Sequence, residues 1–409
     1  MVSGQMKKRK LVYWDSNPNE GRTIAFARAG EAFCAEEGDL EFEYVPRGIE
    51  NYAEDVLAAW SAGEGPDVID VWPHWVPRLS GPNGLMPLDP WVDAWERSAD
   101  YDPSHRRLSI SFDGSYRFLA CDLFVQGTHY RRDLVAAAGL ADPRALDASG
   151  AWTMDAFVRH ARALHRPEED VFGVSLRGGQ GSELTVFNVM ASATGRPVFD
   201  EEGSPRFDDP AGIEALERYV SLARPPSCCQ PAPENDGYRA FAWHFYEGRA
   251  AMMLHNDDGV KAAQDRFLGR ERYSTARFPS VGGRPRIALA GFGIGVFSGS
   301  PVKDAAARYV LRFIEGYGRR LEESAAELSP GGDPGISCTP MRPWSRQPDP
   351  KVVPFREALE STEVFFHLPF NRPGFDDAVR GIFRPDVARM LEGTLTPAEA
   401  CARWQSISL

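Results

Sequence analysis

The chain has 409 residues, which is enough for two domains of ordinary size. Hydrophobic residues make up 43% and charged residues 25%, the balance of a globular protein. The net charge of −12 argues against a nucleic-acid-binding protein, and we find no run of about 18 apolar residues to cross a membrane. The basic start "MKKRK" lacks a following apolar segment, so we expect that a signal peptide is absent from this sequence.

The first seventy-five residues predict a parallel sheet. The segments "KLVYWDS", "LEFEYVP" and "PDVIDVW" have the pattern of strands, and two amphipathic helical segments separate them. A βαβαβ order implies parallel strands joined by right-handed crossovers. Such sheets bind ligands beyond the carboxyl ends of their strands, and Trp14 and Trp72 both fall at those ends.

After residue 100 the order of elements changes. The segment "GSYRFLACDLFVQGTHYRRDLVAAAGL" predicts two strands followed by a helix, and several helices follow it. The segments "EGRAAMMLH" and "RIALAGFGIGVFSGS" then predict further strands, and the C-terminus predicts helices.

The six cysteines show neither a CxxC motif nor zinc-ligand spacing, so we predict no metal site. Buried thiols and one or two disulfides are both compatible with their positions.

An ordered series of weak motifs spans residues 10–404. The series runs through "VYWDSNPNEGR", "AAWSAGEGPDVIDVW", "YRRDLVAAAGLADP", "ASATGRPVFDEEG", "FYEGRAAMMLH", "GFGIGVFSGSPVKDAAARYVLRF" and "EGTLTPAEACARW". In this order it resembles the family 1 extracellular solute-binding proteins of carbohydrate ABC importers, the maltodextrin-binding-like group. The chain departs from the family pattern at Arg131 and Arg196, where the family has Asn and Gly, and at "HNDDG", where an aromatic residue is common.

The resemblance implies a periplasmic-binding-protein-like fold of the α/β class, with two lobes of mainly parallel sheet joined by hinge strands around an inter-lobe cleft. The implied N-terminal lobe is 10–120 plus 287–328, and the C-terminal lobe is 125–280 plus 340–409. The implied hinge crossings are 120–125, 278–286 and 329–339. Hinge closure would hold the solute in the cleft.

Sugar recognition needs aromatic rings for the C–H faces and polar side chains for the hydroxyl groups. By position and by resemblance, the candidate ligand-binding residues are Trp14, Asp15, Trp72, His74, Tyr116, Asp122, Asn256, Asp257, Phe292, Arg342, Arg372 and Phe375. Weaker candidates are Trp75, Phe124, Trp243, Tyr246, Asp258, Phe370 and Asn371. We expect Trp14→Ala and Trp72→Ala each to weaken sugar binding without unfolding the protein.

The function that the resemblance implies is capture of a mono- or oligosaccharide and its delivery to the transmembrane subunits of an ABC permease with their ATPase. We expect a monomer without cofactor, metal or catalytic residues, located in the periplasm or at the cell surface, either lipid-anchored or free.

Two alternatives stay open. The first is the same fold with a glycerol phosphodiester, which Arg131, Arg342 and Arg372 would suit, or with a polyamine, which carboxylates would suit. The second is a glycoside-processing enzyme, because chance carboxylate pairs are numerous. Against an enzyme, the sequence has no GxSxG, HExxH, P-loop or dinucleotide motif.

Overall fold

The structure is a computed structural model that describes residues 8–49, 51–111, 113–267, 272–328, 339–343, 350–361, 363–370 and 372–409. The chain divides into two compact units, each made of two segments. Unit 1 is Met1–Leu123 with Ala290–Arg346, and unit 2 is Phe124–Leu289 with Gln347–Leu409.

Strands and helices alternate through the first three strands, a run of helices separates β5 from β6, and helices dominate the end of the chain. The strands are β1 (Arg9–Asp15), β2 (Leu40–Pro46), β3 (Val68–Val71), β4 (Leu119–Leu123), β5 (Gln126–Arg131), β6 (Met252–Asn256), β7 (Tyr273–Arg277), β8 (Ile287–Ala288), β9 (Gly291–Val296) and β10 (Phe365–Phe366). The helices are α1 (Glu20–Glu37), α2 (Tyr52–Ala62), α3 (Val76–Leu79), α4 (Asp89–Asp93), α5 (Pro103–Ser109), α6 (Arg132–Ala137), α7 (Pro143–Ala148), α8 (Met154–Leu164), α9 (Ser182–Thr194), α10 (Pro210–Val220), α11 (Tyr238–Tyr246), α12 (Gly259–Arg266), α13 (Lys303–Leu328), α14 (Val353–Glu360), α15 (Pro373–Ala378), α16 (Arg384–Glu392) and α17 (Pro397–Gln405).

Unit 1 contains a five-stranded sheet in the order β2-β1-β3-β9-β4. Strand β1 pairs in parallel with both β2 and β3, which confirms the predicted βαβαβ opening. Strand β9 runs antiparallel to β3 and to β4, so the carboxyl ends of β1, β3 and β4 share one edge with the start of β9.

Helix α1 packs on this sheet. Capping residues fix where the helix begins and ends, and its apolar residues form the buried face. The Asn19 side chain accepts from the backbone N–H of Arg22 at 3.0 Å, and Gly38 ends the helix with a φ of 79°. Phe26 on the buried face lies 4.7 Å from Phe313 of α13, edge to face. The sheet of unit 1 is thus packed beneath two long helices.

Unit 2 contains a three-stranded sheet in the order β6-β5-β7, and both of its pairings are antiparallel. This differs from the mainly parallel sheet expected for both lobes. Parallel bridges from Val174 to Cys229 and from Ser175 to Met253 continue the β6 side of the sheet. A separate parallel pair joins β8 and β10.

The core of unit 2 includes a cluster of aromatic rings. Phe187 of α9 lies 5.2 Å from Phe383 and 5.7 Å from Phe199, in both cases edge to face. Trp404 of α17 lies 5.4 Å from Phe383, and its indole N–H donates to Asp386 at 3.0 Å. The C-terminal helices are therefore part of this unit's own core.

The boundaries between the two units fall at 123/124, 289/290 and 346/347, whereas the predicted crossings between lobes are 120–125, 278–286 and 329–339. Residues 340–343, which were predicted in the C-terminal lobe, belong to unit 1. Residues 329–338 of the third predicted crossing lie outside the described part of the chain. The assignment of hinge strands stays a prediction.

Within the described ranges, no helix has the length and apolar character needed to span a membrane. The five cysteines described there are buried thiols without disulfides, namely Cys34, Cys121, Cys228, Cys229 and Cys401.

Candidate functional site

Several predicted residues meet at one edge of the sheet of unit 1. Trp14 and Asp15 end β1, and Trp72 follows β3 directly. Phe292 near the start of β9 pairs in register with Asp122 at the end of β4. The direction of the strands therefore brings these five residues to the same edge, as the βαβαβ prediction implies for Trp14, Asp15 and Trp72.

Trp72 is the most exposed of the tryptophans at this edge. Its ring is half-buried, 6.0 Å from Trp75 and 6.0 Å from Phe292 between centroids. The indole N–H donates to the Ser16 hydroxyl at 3.2 Å. This hydrogen bond and the contacts with the rings of Trp75 and Phe292 together fix the orientation of the Trp72 ring. A fixed aromatic face at a strand end can stack on the C–H face of a sugar.

His74 and Trp75 form the short 3₁₀ turn Pro73–Trp75 after Trp72. His74 is half-buried and lies 5.4 Å from the Trp75 ring. Trp75 is buried and stacks on Tyr52 at 5.4 Å, which makes it a core residue, the interpretation favoured from the sequence.

Trp14 and Asp15 are less accessible than Trp72. The Arg47 guanidinium lies 3.8 Å from the centroid of the Trp14 ring and covers one face of it. Asp15 is fully buried and accepts hydrogen bonds from Arg22 and from the Tyr44 hydroxyl, the latter at 2.6 Å. Both residues therefore contribute to the packing of the edge, and direct ligand contact by either stays a prediction.

A buried network of charges lies beneath Trp72 and Phe292. The Arg22 guanidinium donates to Asp15 at 2.9 Å and to Asp70 at 2.6 Å, and all three side chains are nearly inaccessible. Its carbon Cζ lies 4.3 Å from the centroid of the Phe292 ring. Asp70 also accepts from the Ser16 hydroxyl at 2.7 Å. The network thus reaches Trp72 through Ser16.

The two carboxylates of this network titrate differently. Burial raises the pKa of Asp70 to about 7, although the charge of Arg22 acts in the opposite direction. Burial also disfavours ionised Asp15, but the charge and hydrogen bonds of Arg22 outweigh it and hold the pKa of Asp15 below its ordinary value.

Phe292 and Asp122 have defined neighbours at this edge. Phe292 is buried and flanked by Gly291 and Gly293, where a Cβ would lie only 2.1 Å from the carbonyl oxygens of Asp122 and Leu119. Asp122 is half-buried and accepts from the Tyr317 hydroxyl at 3.2 Å. The glycines therefore let β4 approach β9 closely.

The structure does not bring Tyr116 to this edge. Tyr116 precedes β4 by three residues, and β4 runs in the same direction as β3, so Tyr116 lies at the opposite, amino-terminal edge. Its hydroxyl accepts from Arg106 at 3.1 Å, and its carbonyl accepts from the Leu88 N–H. The sequence prediction placed it near the hinge, because the direction of β4 depends on the distant strand β9.

Arg342 belongs to unit 1 rather than to the C-terminal lobe in which it was predicted. Its Nε donates to Asp102 at 2.6 Å, and Asp102 also caps the N-terminus of α5. This contact gives Arg342 a structural role, and ligand contact by Arg342 stays a prediction.

In unit 2, Asn256 and Asp257 lie at the end of β6. Asn256 is buried, and its Oδ1 has no hydrogen-bond partner in the described residues. Asp257 is buried, and its Oδ1 accepts from the Val125 N–H at 3.0 Å. Asp258 follows with its side chain 44% exposed, and it accepts from the Tyr238 hydroxyl.

Arg372 and Phe375 lie in the α15 region of unit 2. Arg372 is exposed and donates to the Glu202 carbonyl at 2.5 Å. Phe375 is buried, 5.7 Å from Phe199 and 5.5 Å from Phe370, in the aromatic core described above. Phe375 is thus a core residue, contrary to the prediction of ligand contact. Asn371 lies outside the described residues.

Trp243 and Tyr246, two of the weaker candidates, belong to a helix that is buried on one side, as predicted. Trp243 of α11 is 47% exposed and donates to Glu247 at 2.5 Å, whereas Phe241 and Phe245 of the same helix are buried. Phe124 is half-buried, and Tyr246 packs against the core cluster that contains Phe245.

Sequence reasoning missed Arg177, which is buried in unit 2 next to the rings of Tyr238 and Phe241. The preceding segment 174–175 continues the sheet in parallel with β6, so Arg177 and Asp258 follow neighbouring strands. The glycine-rich sequence "RGGQGSE" was the available signal, because Gly178 packs so closely on residue 234 that a Cβ would lie 2.5 Å from its Cα.

Unit 1 presents an aromatic face and polar side chains at the edge of its sheet, and unit 2, taken by itself, presents polar side chains at the end of β6. Among the residues that the structure describes, no group of three or more His, Cys, Asp or Glu side chains could hold a metal ion. The half-buried Trp72 ring beside the Ser16 hydroxyl suits contact with a hydroxylated organic solute.

Known proteins resemble the chain over most of its length. Residues 19–315 match the family of bacterial extracellular solute-binding proteins. A mannitol-binding protein of Pseudomonas aeruginosa is 26% identical over 265 residues, a match that spans 63% of this chain and only 56% of that relative.

Two solved structures share the fold. An ABC substrate-binding protein from Listeria monocytogenes in complex with cycloalternan has a TM-score of 0.77 at 15% identity, with 97% of each chain covered. A solute-binding protein from Thermotoga lettingae bound with α-D-tagatose has a TM-score of 0.76 at 19% identity, covering 97% of this chain and 98% of the other. The fold is thus periplasmic-binding-protein-like, and the chain belongs to the bacterial extracellular solute-binding protein family.

Proposed function

We propose that this protein is the substrate-binding component of an ABC importer and that it captures a sugar or a polyol. The observation that carries the proposal is Trp72, a half-buried ring fixed by Ser16 at the carboxyl edge of the parallel strands. Ring stacking on a sugar face and hydrogen bonds to its hydroxyl groups give useful affinity without any covalent step. The relatives named above bind mannitol, cycloalternan and tagatose, which supports a hydroxylated solute.

The partners follow from this role. The loaded protein delivers its solute to the transmembrane subunits of a permease, whose ATPase supplies the energy. The protein works outside the cytoplasmic membrane, in the periplasm or at the cell surface, as a monomer that binds its ligand and releases it chemically unchanged.

A melting-temperature screen tests this function. The panel is D-mannitol, D-tagatose and maltose, with glycerol 3-phosphate and spermidine as charged alternatives. We expect at least one hydroxylated solute to raise the melting temperature and to be recovered unchanged after incubation. A solute recovered as cleavage products would contradict a binding role and indicate an enzyme.

The same screen on Trp72→Ala assigns the binding to the described edge. We expect the shift to disappear or shrink in this variant. Trp243→Ala is the matched control, because Trp243 is an exposed tryptophan of unit 2 with its indole N–H on Glu247. An equal shift in Trp72→Ala and in the unaltered protein would remove Trp72 from the site.

A further inference from the structure

Unit 2 contains a buried arginine whose guanidinium is incompletely satisfied. Arg177 is 4% exposed, and its Nη2 donates to the Gly181 carbonyl at 2.7 Å. Its Nε has no hydrogen-bond partner within the described residues, and no carboxylate oxygen there forms a salt bridge with it. Burying a charged donor without a partner costs free energy, so such an arrangement is retained where a ligand completes it.

Three further polar side chains surround the same position. His255 is 1% exposed, and neither ring nitrogen has a partner in the described part of the chain. The Tyr238 ring lies 5.0 Å from His255 and 5.8 Å from the Arg177 guanidinium carbon. Tyr238 donates its hydroxyl to Asp258, whose other oxygen lies 4.0 Å from His255 Nε2, beyond hydrogen-bond distance.

The four residues differ in their exposure to solvent. The Asp258 side chain is 44% exposed, whereas Arg177 and His255 are buried behind it. Asn256 is the next residue after His255 on β6, so strand alternation places its side chain on the other face. The group at this face is therefore Arg177, Tyr238, His255 and Asp258.

The charges near this group balance without a ligand. Arg177 and Asp258 carry opposite charges, and Glu183, which also acts on Arg177, forms an ion pair with Arg384 at 3.1 Å. His255 adds no charge, because burial holds its pKa well below the ordinary value. An anion would approach Asp258 and a cation would approach Arg177, so either would introduce an uncompensated charge.

We infer that Arg177, Tyr238, His255 and Asp258 form a hydroxyl-binding subsite that selects an uncharged, hydroxyl-rich solute. A hydroxyl group both donates and accepts, so it can accept from Arg177 Nε while it donates to Asp258 or to His255. The inference rests on the proposed function and adds its specificity: it favours sugars and polyols over phosphodiesters and polyamines.

Calorimetry on Arg177→Met tests the subsite. We expect the affinity for the best neutral solute to fall at least tenfold, while the free energy of unfolding stays the same or rises, because an incompletely satisfied buried cation has been removed. Arg277→Met is the matched control. Arg277 pairs with Asp147 at 3.0 Å in the same unit, so its loss lowers the free energy of unfolding and leaves affinity unchanged.

Conservative variants separate the roles of the other members. Tyr238→Phe and Asp258→Asn are each expected to lower affinity for the neutral solute several-fold, and Asp258→Asn also admits anions by removing the repelling carboxylate. The unaltered protein is expected to bind D-mannitol or maltose and to ignore glycerol 3-phosphate and spermidine.

The outcomes distinguish this inference from the proposed function. Binding of a neutral solute with unchanged affinity in Arg177→Met overturns the subsite and leaves the importer role standing. Tight binding of glycerol 3-phosphate or spermidine by the unaltered protein overturns the selection of uncharged solutes. A parallel loss of affinity and of stability in Arg177→Met marks a purely structural residue and also overturns the subsite.

Discussion

The indole N–H of Trp72 and the hydroxyl of Ser16 are joined by a hydrogen bond of 3.2 Å between residues 56 positions apart. The same hydroxyl donates to Asp70 at 2.7 Å, and Asp70 accepts from Arg22. The orientation of the most accessible aromatic ring at the strand edge is therefore set by a buried ionic network.

Replacement of Ser16 by alanine should loosen Trp72 and weaken solute binding. Loss of one orienting hydrogen bond is worth about 1 kcal/mol, or roughly a fivefold increase in Kd. Calorimetry measures the change. Ser61→Ala is the control, because the Ser61 hydroxyl bonds only within helix α2, to Leu57, and should leave Kd unaltered. Equal Kd values in Ser16→Ala and the unaltered protein would disprove the link from Ser16 to binding.

Trp14→Ala should destabilise the protein more than Trp72→Ala does. Trp14 is 7% exposed beneath Arg47, so its loss leaves a cavity, and such truncations cost about 3–5 kcal/mol. This revises the sequence-based expectation that Trp14→Ala would leave the fold unaffected. Urea unfolding of both variants gives the two free energies. A larger loss in Trp72→Ala than in Trp14→Ala would contradict the packing described for Trp14.

Arg22→Met should be strongly destabilising, because it leaves two buried carboxylates, Asp15 and Asp70, without their cation. Breaking a buried ion pair in this way costs about 3–5 kcal/mol. Arg28→Met, from the same helix, breaks an exposed pair with Glu327 and should cost at most about 1 kcal/mol. Similar free energies of unfolding for the two variants would show that the network around Arg22 does not stabilise unit 1.

The buried His129 should make stability depend on pH. Burial lowers its pKa from 6.5 to about 4, so the unfolded chain binds a proton before the folded protein does. Its contribution is complete above pH 6.5 and is lost as the pH falls toward 4, by up to about 3 kcal/mol. Asp70 acts in the opposite direction over this range, because its folded pKa is raised to about 7.

His129→Gln isolates this contribution, since Asp70 is the same in both proteins. The free energy of unfolding should fall less steeply between pH 7 and 5 in His129→Gln than in the unaltered protein. Urea titrations at the two pH values provide the comparison. An identical slope in both proteins would show that His129 is not responsible.

Short sequence segments were sufficient to predict the parallel opening of unit 1 and the edge that holds Trp72. The alternation of strands with helices, and the residues at which each strand ends, can be recognised within such segments. Phe375 was misassigned because an apolar residue near a helix start has the same local signature in a core and in a binding site. Tyr116 was misplaced because the direction of β4 depends on β9, whose Phe292 pairs with Asp122 from 170 positions away.

The charged networks could not be predicted from the sequence, because they too join residues that lie far apart along the chain. Arg22 pairs with Asp70 across 48 positions, and Arg177 and Asp258 follow neighbouring strands whose pairing no short motif specifies. The antiparallel sheet of unit 2 likewise depends on pairings between β5 and strands more than 120 residues later. Such contacts follow from the fold rather than from spacing along the chain.

Titration calorimetry of the purified protein with D-mannitol, D-tagatose and maltose tests the central proposal most directly. The proposal predicts saturable binding of at least one of these neutral solutes, with a Kd around micromolar, and a Kd at least tenfold higher in Trp72→Ala. Absence of binding to all three, or an identical Kd in Trp72→Ala, would contradict it.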